Sequence, residues 1–221
     1  MQSPGDRKAT VSAKSIATAV HGRYLIQRCG DEPRGLVLGF HGYGEGAEDH
    51  LQALARVPGI EDWERLSVQA LHPFYRKNGE VVASWMTKLD RELAIADNIQ
   101  YIRRVLETES PGIPIVVSGF SQGVAMAYRA AVEVVAPLLG VVVLAGDVPP
   151  ELGEGELGRI PRVLIGRGLR DQWYDEVKLE KDLERLSGAG VAVEVARFPG
   201  GHEWGADFLV ATGRFLADLN D

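Results

Sequence analysis

Short apolar runs alternate with longer amphipathic segments along most of this chain, and that alternation restricts the folds open to it. The runs are rich in Val, Leu and Ile, as in strands that are buried on both faces of a sheet. Their order predicts an α/β fold with a mostly parallel central sheet flanked by helices. The predicted strands are 36–40, 66–70, 115–118, 141–145, 162–166 and 191–198, with one or two antiparallel edge strands within 15–27.

Helical periodicity is clearest in residues 91–107. Apolar side chains recur there every three or four residues, at Leu93, Ala96, Ile99, Ile102 and Leu106. This spacing predicts an apolar stripe that packs against the sheet. Similar patterns predict helices over 122–134, 175–186 and 206–219.

The length and composition predict a globular protein and limit its partners. With 221 residues, 45% of them hydrophobic, we expect one domain over 1–221, with 1–14 as a disordered tail. The formal net charge of −7 argues against a nucleic-acid partner, because binding phosphates requires clustered Lys and Arg. No apolar run approaches the roughly 20 residues of a membrane span, so integral membrane association is not expected.

Cysteine content bears on the compartment and on metals. The single cysteine, Cys29, leaves no internal disulfide framework and no Cys-rich zinc spacing. The N-terminal residues lack the continuous apolar core of a secretory signal. We therefore expect a cytoplasmic protein.

The segment GFSQG, residues 119–123, contains the candidate nucleophile. A predicted strand ends directly before it and a predicted helix follows, so Ser121 would project from a tight strand-to-helix turn. Such a turn needs small residues at Gly119 and Gly123, because side chains there would collide with neighbouring elements. The alternative is an ordinary turn in which Ser121 caps the helix.

Glycines also dominate the loop HGYGEG, which follows the strand 36–40. Backbone N–H groups in such a loop, together with the N–H after the nucleophile, can stabilise an oxyanion. These positions correspond to Tyr43 and Gln122. His41 could be a base, but its place directly after a strand favours a hydrogen bond that anchors the loop.

The segment FPGGHEW, residues 198–204, supplies the candidate base. His202 follows the last predicted strand in a glycine-hinged loop, from which an imidazole could reach the carboxyl edge of the sheet and act on Ser121. Four other histidines compete with it, namely His21, His41, His50 and His72. Only His202 comes after both the serine and the candidate acid.

The candidate acid is Asp171, in the segment after the strand 162–166. A carboxylate there would hold the imidazole tautomer and stabilise the imidazolium. Asp175 is expected to cap the following helix, Asp147 follows the preceding strand, and Glu203 adjoins the histidine. Chain order and loop position favour Asp171 over these three.

GFSQG, HGYGEG, GLRDQW and FPGGHEW together resemble the carboxylesterase, lysophospholipase and acyl-protein thioesterase family of small α/β-hydrolases. The resemblance runs from about residue 35 to the C-terminus. It implies hydrolysis of carboxylic esters or acyl thioesters without metal or organic cofactor. It also implies a triad of Ser121, Asp171 and His202, with the N–H groups of Tyr43 and Gln122 as oxyanion donors.

The resemblance extends to the pocket, with some departures. Trp85 corresponds to a tryptophan beside the family's acyl site, although core packing explains it equally well. Tyr43 and Glu45 stand where the family commonly has leucine and aspartate, and Tyr174 and Asp175 stand where it tends to have valine and proline. These changes argue against long acyl chains. The loop 146–161 leaves no room for a cap domain, which implies an open site.

We therefore expect a serine hydrolase of small-molecule esters or lipid-like acyl substrates, with short to medium acyl chains favoured. One alternative is a lysophospholipase or acyl-protein thioesterase that acts on long chains. Another, from a different class, is a catalytically silent binding protein with this fold. A Cys-dependent hydrolase is disfavoured, because Cys29 lies in an early edge segment.

Overall fold

The computed structural model describes residues 11–30, 32–109, 112–133 and 137–220. The strands are β1 (Tyr24–Gln27), β2 (Leu36–Phe40), β3 (Glu64–Val68), β4 (His72–Tyr75), β5 (Val81–Ser84), β6 (Ile115–Phe120), β7 (Leu138–Leu144), β8 (Arg162–Gly168) and β9 (Ala192–Phe198). The helices are α1 (Ala47–Leu54), α2 (Arg91–Glu109), α3 (Gln122–Glu133), α4 (Glu154–Leu157), α5 (Glu176–Gly188) and α6 (Ala206–Ala217). Two 3₁₀ turns, Ile60–Asp62 and Asp218–Asn220, complete the regular structure of this part of the chain.

Seven strands form the main sheet, in the order β1-β3-β2-β6-β7-β8-β9. Only β1 is antiparallel to its neighbour, and the other pairs are parallel. The α/β prediction with a mostly parallel sheet is confirmed. β2, β3 and β6 are buried along their whole lengths, as expected for strands covered on both faces.

Parallel pairing brings the carboxyl ends of distant strands to one edge. Phe40, the last residue of β2, pairs with Gly119 near the end of β6. The loops after these strands therefore start side by side. α3 packs against β2, β6 and β7, which fixes the segment that follows β6.

The predicted N-terminal segments are only partly strand. Of 15–27, only β1 is a strand, and it pairs with β3 in the expected antiparallel sense. Residues 11–14 have no regular structure and are exposed, whereas the first ten residues of the predicted tail lie outside the described part of the chain.

The buried face of α2 differs from the predicted stripe. Leu93 is 53% exposed and Ala96 is also exposed, so these two positions do not face the core. Asn98 is fully buried instead, because its side-chain amide donates to the carbonyls of Trp85 at 2.9 Å and Ala94 at 2.7 Å. A polar residue with satisfied donors occupies the core side, and the apolar pattern gave no sign of it.

The structure also contains a hairpin that was not predicted from the sequence. β4 and β5 form a separate antiparallel pair joined by a turn at Asn78 and Gly79, where Gly79 has φ +84°. Asn-Gly between two β-rich runs is a strong hairpin signal. This hairpin contacts the HGYGEG loop and bears on the candidate site.

Candidate active site

Ser121 is the single residue between β6 and α3. Its φ of +52° lies in the left-handed region, which costs a non-glycine residue about 1–2 kcal/mol. Its backbone N–H donates to the carbonyl of Leu144 at 2.9 Å, which ties the turn to β7. A strained residue held by neighbouring strands is the expected geometry of a nucleophile at such a turn.

The two glycines of GFSQG are required by close packing. A Cβ on Gly119 would lie 2.6 Å from the carbonyl oxygen of Gly123, and one on Gly123 would lie 2.1 Å from that of Phe40. Both distances are well below van der Waals contact. The segment therefore brings α3 against the end of β2, and no larger residue fits without moving the backbone.

The structure brings together the three side chains that the sequence singled out. His202 Nε2 lies 2.7 Å from Ser121 Oγ, and His202 Nδ1 lies 2.9 Å from Asp171 Oδ2. Because Nδ1 faces a carboxylate, it carries the proton of the neutral ring, which leaves Nε2 free to accept one from the serine.

Backbone donors fix Asp171. Its side chain is completely buried, and Oδ1 accepts the N–H groups of Trp173 at 2.8 Å and Tyr174 at 3.1 Å. The loop that carries His202 lies close to the end of β8, where a Cβ on Gly168 would lie 2.2 Å from the carbonyl oxygen of Gly201. These contacts present the carboxylate to the imidazole in one orientation.

The three competing carboxylates have other partners. Asp175 caps α5 by accepting the N–H of Lys178 at 3.0 Å, and Asp147 lies 3.4 Å from the ammonium of the same lysine. Glu203 accepts the N–H of Gly201 at 3.1 Å and so shapes its own loop. In the structure only Asp171, of these four carboxylates, contacts the ring of His202.

The other histidines lie elsewhere. His41 is buried, accepts the N–H of Ala70 at Nε2 and donates from Nδ1 to the carbonyl of Gly42 at 2.7 Å. Burial lowers the pKa of His41, which keeps the ring neutral in this anchoring position. His50 is buried beside Ser118, and the remaining two, His21 and His72, are exposed and lie outside the cleft beside Ser121.

The candidate oxyanion donors line the same cleft as Ser121 and His202. Among the described residues, neither Tyr43 N–H nor Gln122 N–H has a hydrogen-bond partner. The side chain of Gln122 is fixed, since Oε1 accepts the N–H of Trp85 at 2.9 Å and Nε2 donates to the carbonyl of Met86 at 2.9 Å. Both N–H groups are thus free for a ligand oxygen.

Contacts from within the loop and from the hairpin hold HGYGEG in place. Glu45 accepts the N–H of Gly42 at 2.7 Å, and burial raises the pKa of this carboxyl. Glu45 and Gly44 also exchange backbone hydrogen bonds with Ala83 of β5, and Arg76 donates to the carbonyl of Gly44. The β4–β5 hairpin, which was not predicted from the sequence, therefore supports the candidate oxyanion loop.

Trp85 does not line the cleft. Its side chain is completely buried, packs edge-on against Phe40 at 5.4 Å, and donates from Nε1 to the carbonyl of His41 at 2.8 Å. Trp85 is therefore a core residue, as in the alternative interpretation of this tryptophan. The next residue, Met86, lines the cleft instead. Tyr43 is 63% exposed and packs against Phe74 of the hairpin, so it lies at the rim.

The cleft has a volume of about 660 Å³ and a mixed lining. Sequence reasoning did not single out several of its residues, including Met86, Phe120, Ala125, Val148, Pro150 and Arg129. Ala125 and Arg129 could have been found, because they follow Ser121 at intervals of four and so share one face of α3.

Two classes of feature are absent from the residues that the structure describes. No group of three or more His, Cys, Asp or Glu side chains there is arranged to hold a metal ion. None of the helices in those same ranges is both long enough and apolar enough to span a membrane.

The mostly parallel sheet and the strand-turn-helix at Ser121 define an α/β-hydrolase fold. The connection from β7 to β8 contains only α4, so no separate cap domain is inserted there. No protein-family model matches the sequence, and no curated protein sequence matches it.

Solved structures with this fold are similar along nearly the whole chain. Acyl-protein thioesterase 2 of Zea mays is 19% identical, with a TM-score of 0.71 over 90% of this chain and 99% of that one. The carboxylesterase of Bacillus cereus is 17% identical, with a TM-score of 0.70 over 90% and 94%. Esterase PE8 is 21% identical, with a TM-score of 0.69 over 90% and 100%. The resemblance seen in the motifs is thus confirmed at the level of the fold.

Proposed function

We propose that this chain is a serine hydrolase that cleaves carboxylic esters through an acyl-serine intermediate. The observation that carries the proposal is the continuous hydrogen-bonded chain from Ser121 to His202 to Asp171, at 2.7 and 2.9 Å, with Ser121 and His202 in the lining of a cleft. The fold shared with an esterase, a carboxylesterase and a thioesterase supports it.

In the proposed first step His202 Nε2 accepts the proton of Ser121 Oγ as the oxygen attacks the acyl carbonyl. The N–H groups of Tyr43 and Gln122 stabilise the negative charge that develops on the carbonyl oxygen. Asp171 stabilises the imidazolium and holds its orientation. The tetrahedral intermediate then collapses, and the leaving alcohol takes its proton from His202.

In the second step a water molecule replaces the alcohol. His202 Nε2 accepts a proton from the water as its oxygen attacks the acyl carbon of the ester on Ser121. The same N–H pair stabilises the second oxyanion, and the returned proton restores the Ser121 hydroxyl as the acid leaves. No step requires a group beyond these five residues and water.

The proposed preference is for short to medium acyl groups. The cleft is open and its lining is interrupted by charged side chains, including Arg76, Arg129 and Lys178. A long acyl chain would have to pass these groups or displace their partners, which is unfavourable for an alkyl chain.

The first test is Ser121→Ala with p-nitrophenyl acetate and butyrate as substrates. We expect kcat to fall by about 10⁴-fold or more, because removing the nucleophile of such a triad leaves only the contribution of the oxyanion site and binding. Circular dichroism should show an unchanged fold. Ser187→Ala, at an exposed position of α5, is the matched control and should keep full activity.

Two outcomes would change the proposal. Retained turnover in Ser121→Ala would overturn the role of this serine. Failure of a fluorophosphonate probe to label the wild-type protein at Ser121 would favour a catalytically silent binding protein with the same fold.

A second candidate is a thioesterase or lysophospholipase acting on long acyl chains. It is favoured by the similarity to a plant acyl-protein thioesterase and by the exposed aromatic rings of Tyr43 and Trp173 at the cleft. Rates measured with acyl chains from two to sixteen carbons separate the candidates. A maximum at twelve carbons or more would support the second.

A further inference from the structure

One wall of the cleft ends at a buried guanidinium. Arg129 lines the cleft together with Ser121 and His202, yet the residue is only 4% exposed. It lies on α3 one turn beyond Ala125, whose small side chain leaves space between the serine and the arginine. A charge buried at this depth is costly unless oxygen atoms surround it.

The N–H groups of Arg129 do not all have oxygen acceptors. Nε and Nη2 donate to Glu151 Oε1 at 2.8 and 2.5 Å. Within the part of the chain that the structure describes, Nη1 contacts only the sulfur atoms of Met86 and Met126, both at 3.8 Å. A thioether is a weak acceptor, so the two N–H groups of Nη1 lack an oxygen partner.

The positive charge of Arg129 is only partly balanced by the carboxylates near it. Glu151 is shared, because its second oxygen lies 3.6 Å from the guanidinium of Arg91. Glu92 also pairs with Arg91, but its side chain is 80% exposed and therefore screened by solvent. Two guanidinium groups thus face one partly buried carboxylate.

The other cations of the cleft are Arg76, Arg91 and Lys178, and each is satisfied by oxygen atoms near solvent. Arg91 pairs with Glu92 at 2.8 Å. Arg76 pairs with Glu80 at 3.0 Å and donates to the carbonyl of Gly44. Lys178 donates to the carbonyl of Trp173 at 2.6 Å and lies 3.4 Å from Asp147. Among these cations, Arg129 combines deep burial with an Nη1 group whose acceptors are sulfur atoms and not oxygen atoms.

The spacing suits a short acyl group. From Gln122 to Arg129 the helix rises about 10 Å along its axis, and long side chains on a helix lean toward its N-terminus, which is the end where Ser121 lies. The lining of the same cleft includes Met86, Ala125 and Val148, which offer apolar surface for a few methylene groups.

We propose that Arg129 binds a carboxylate at the far end of the acyl group, so that monoesters of short dicarboxylic acids are the preferred substrates. This inference rests on the proposed ester hydrolysis. The distal carboxylate accepts the N–H groups of Nη1 in place of the sulfur contacts and takes no part in the chemistry. Hydrolysis at Ser121 then releases an alcohol and the dicarboxylate.

The kinetic test compares esters that differ only in the distal group. Monomethyl succinate, glutarate and adipate are matched with methyl butanoate, pentanoate and hexanoate, and hydrolysis is followed by titration at constant pH. We expect kcat/KM for the best charged ester to exceed that of its neutral match by about tenfold, as for a hydrogen bond to a charged group. A neutral preference at all three chain lengths would overturn the proposal.

Variants assign the preference to one residue. Arg129→Met should reduce the charged-to-neutral ratio to one or below. Arg103→Met is the matched control, because Arg103 lies outside the cleft, where it pairs with Glu133 at 2.5 Å. It removes the same charge and should leave the ratio unchanged. Glu151→Gln frees Arg129 from its carboxylate and should raise the ratio several-fold. An unchanged ratio in both Arg129→Met and Glu151→Gln contradicts the proposal.

A binding measurement separates this proposal from ester hydrolysis itself. Calorimetry with the Ser121→Ala protein should show adipate binding at least tenfold tighter than hexanoate, with the difference lost when Arg129→Met is added. This binding measurement does not depend on turnover. If adipate binds more tightly through Arg129 but the wild-type protein hydrolyses no ester, only the proposed hydrolysis fails. Equal affinity for adipate and hexanoate would show that Arg129 does not bind the carboxylate.

Discussion

At Asp171, hydrogen bonds fix both carboxylate oxygens, and this makes the residue a sensitive test of the proposed mechanism. Oδ1 accepts two backbone N–H groups, and Oδ2 faces His202 Nδ1. An asparagine at this position would keep its oxygen on the backbone donors and turn its amide toward the ring. The imidazole would then be held in the tautomer that cannot accept the proton of Ser121.

We therefore predict that Asp171→Asn lowers kcat for p-nitrophenyl butyrate by roughly 10³- to 10⁴-fold while the protein stays folded. Asp175→Asn is the matched control, since asparagine is as good a helix cap as aspartate. It should keep activity within about twofold. Equal losses in the two variants would show that charge near the cleft matters, and not the contact with His202.

At the scale of elements, the approach of α3 to β2 sets the position of the proposed nucleophile. A Cβ on Gly123 would lie 2.1 Å from the carbonyl oxygen of Phe40, at the point where the HGYGEG loop begins. Because the clash is with backbone, it cannot be relieved by a change of rotamer. The end of β2 and the start of α3 would have to separate.

Gly123→Ala should accordingly lower the free energy of unfolding by about 3 kcal/mol and reduce esterase activity at the same time. Urea denaturation followed by circular dichroism measures the first effect. Gly155→Ala, in α4, introduces a Cβ that meets nothing within 4 Å and should stabilise the protein by about 0.5–1 kcal/mol. If Gly123→Ala were as stable as wild type, the close packing inferred for this turn would be wrong.

Across the whole molecule, Asp182 joins segments that are far apart in sequence. Its Oδ2 accepts the N–H of Val148 at 3.1 Å and the hydroxyl of Tyr174 at 3.0 Å, so α5, the loop after β7 and the loop after β8 meet there. Burial raises the pKa of this carboxyl from 3.8 to about 6. The folded protein therefore holds a proton at pH values where the unfolded chain has released it.

The pH dependence of stability follows from this raised pKa. The contribution of Asp182 is fully present below pH 3.8 and is lost as the pH rises through about 6. Asp182→Asn keeps an oxygen for both donors but cannot ionise. Relative to this variant, wild type should lose up to roughly 3 kcal/mol between pH 4 and pH 7. Urea denaturation of both proteins at several pH values tests this, and parallel stability curves would contradict it.

Much of the fold could be predicted because it depends on local pattern. β2 was predicted to the residue, and β8 and β9 within about two residues, since apolar β-rich runs reflect burial on both faces. The stripe of α2 was wrong in part, because Asn98 is buried through hydrogen bonds to Trp85 and Ala94 that no periodicity shows. The hairpin was missed although Asn78-Gly79 signalled its turn.

For the candidate site, the sequence by itself determined the local geometry and the order of its parts. GFSQG between a strand and a helix required a tight turn, and the chain order singled out Ser121, Asp171 and His202. Only the tertiary structure decided the partners. Contacts between residues 81 positions apart, as for Ser121 and His202, depend on strand order and loop approach. For the same reason it took the folded chain to bury Trp85 and to bring Arg129 to the cleft.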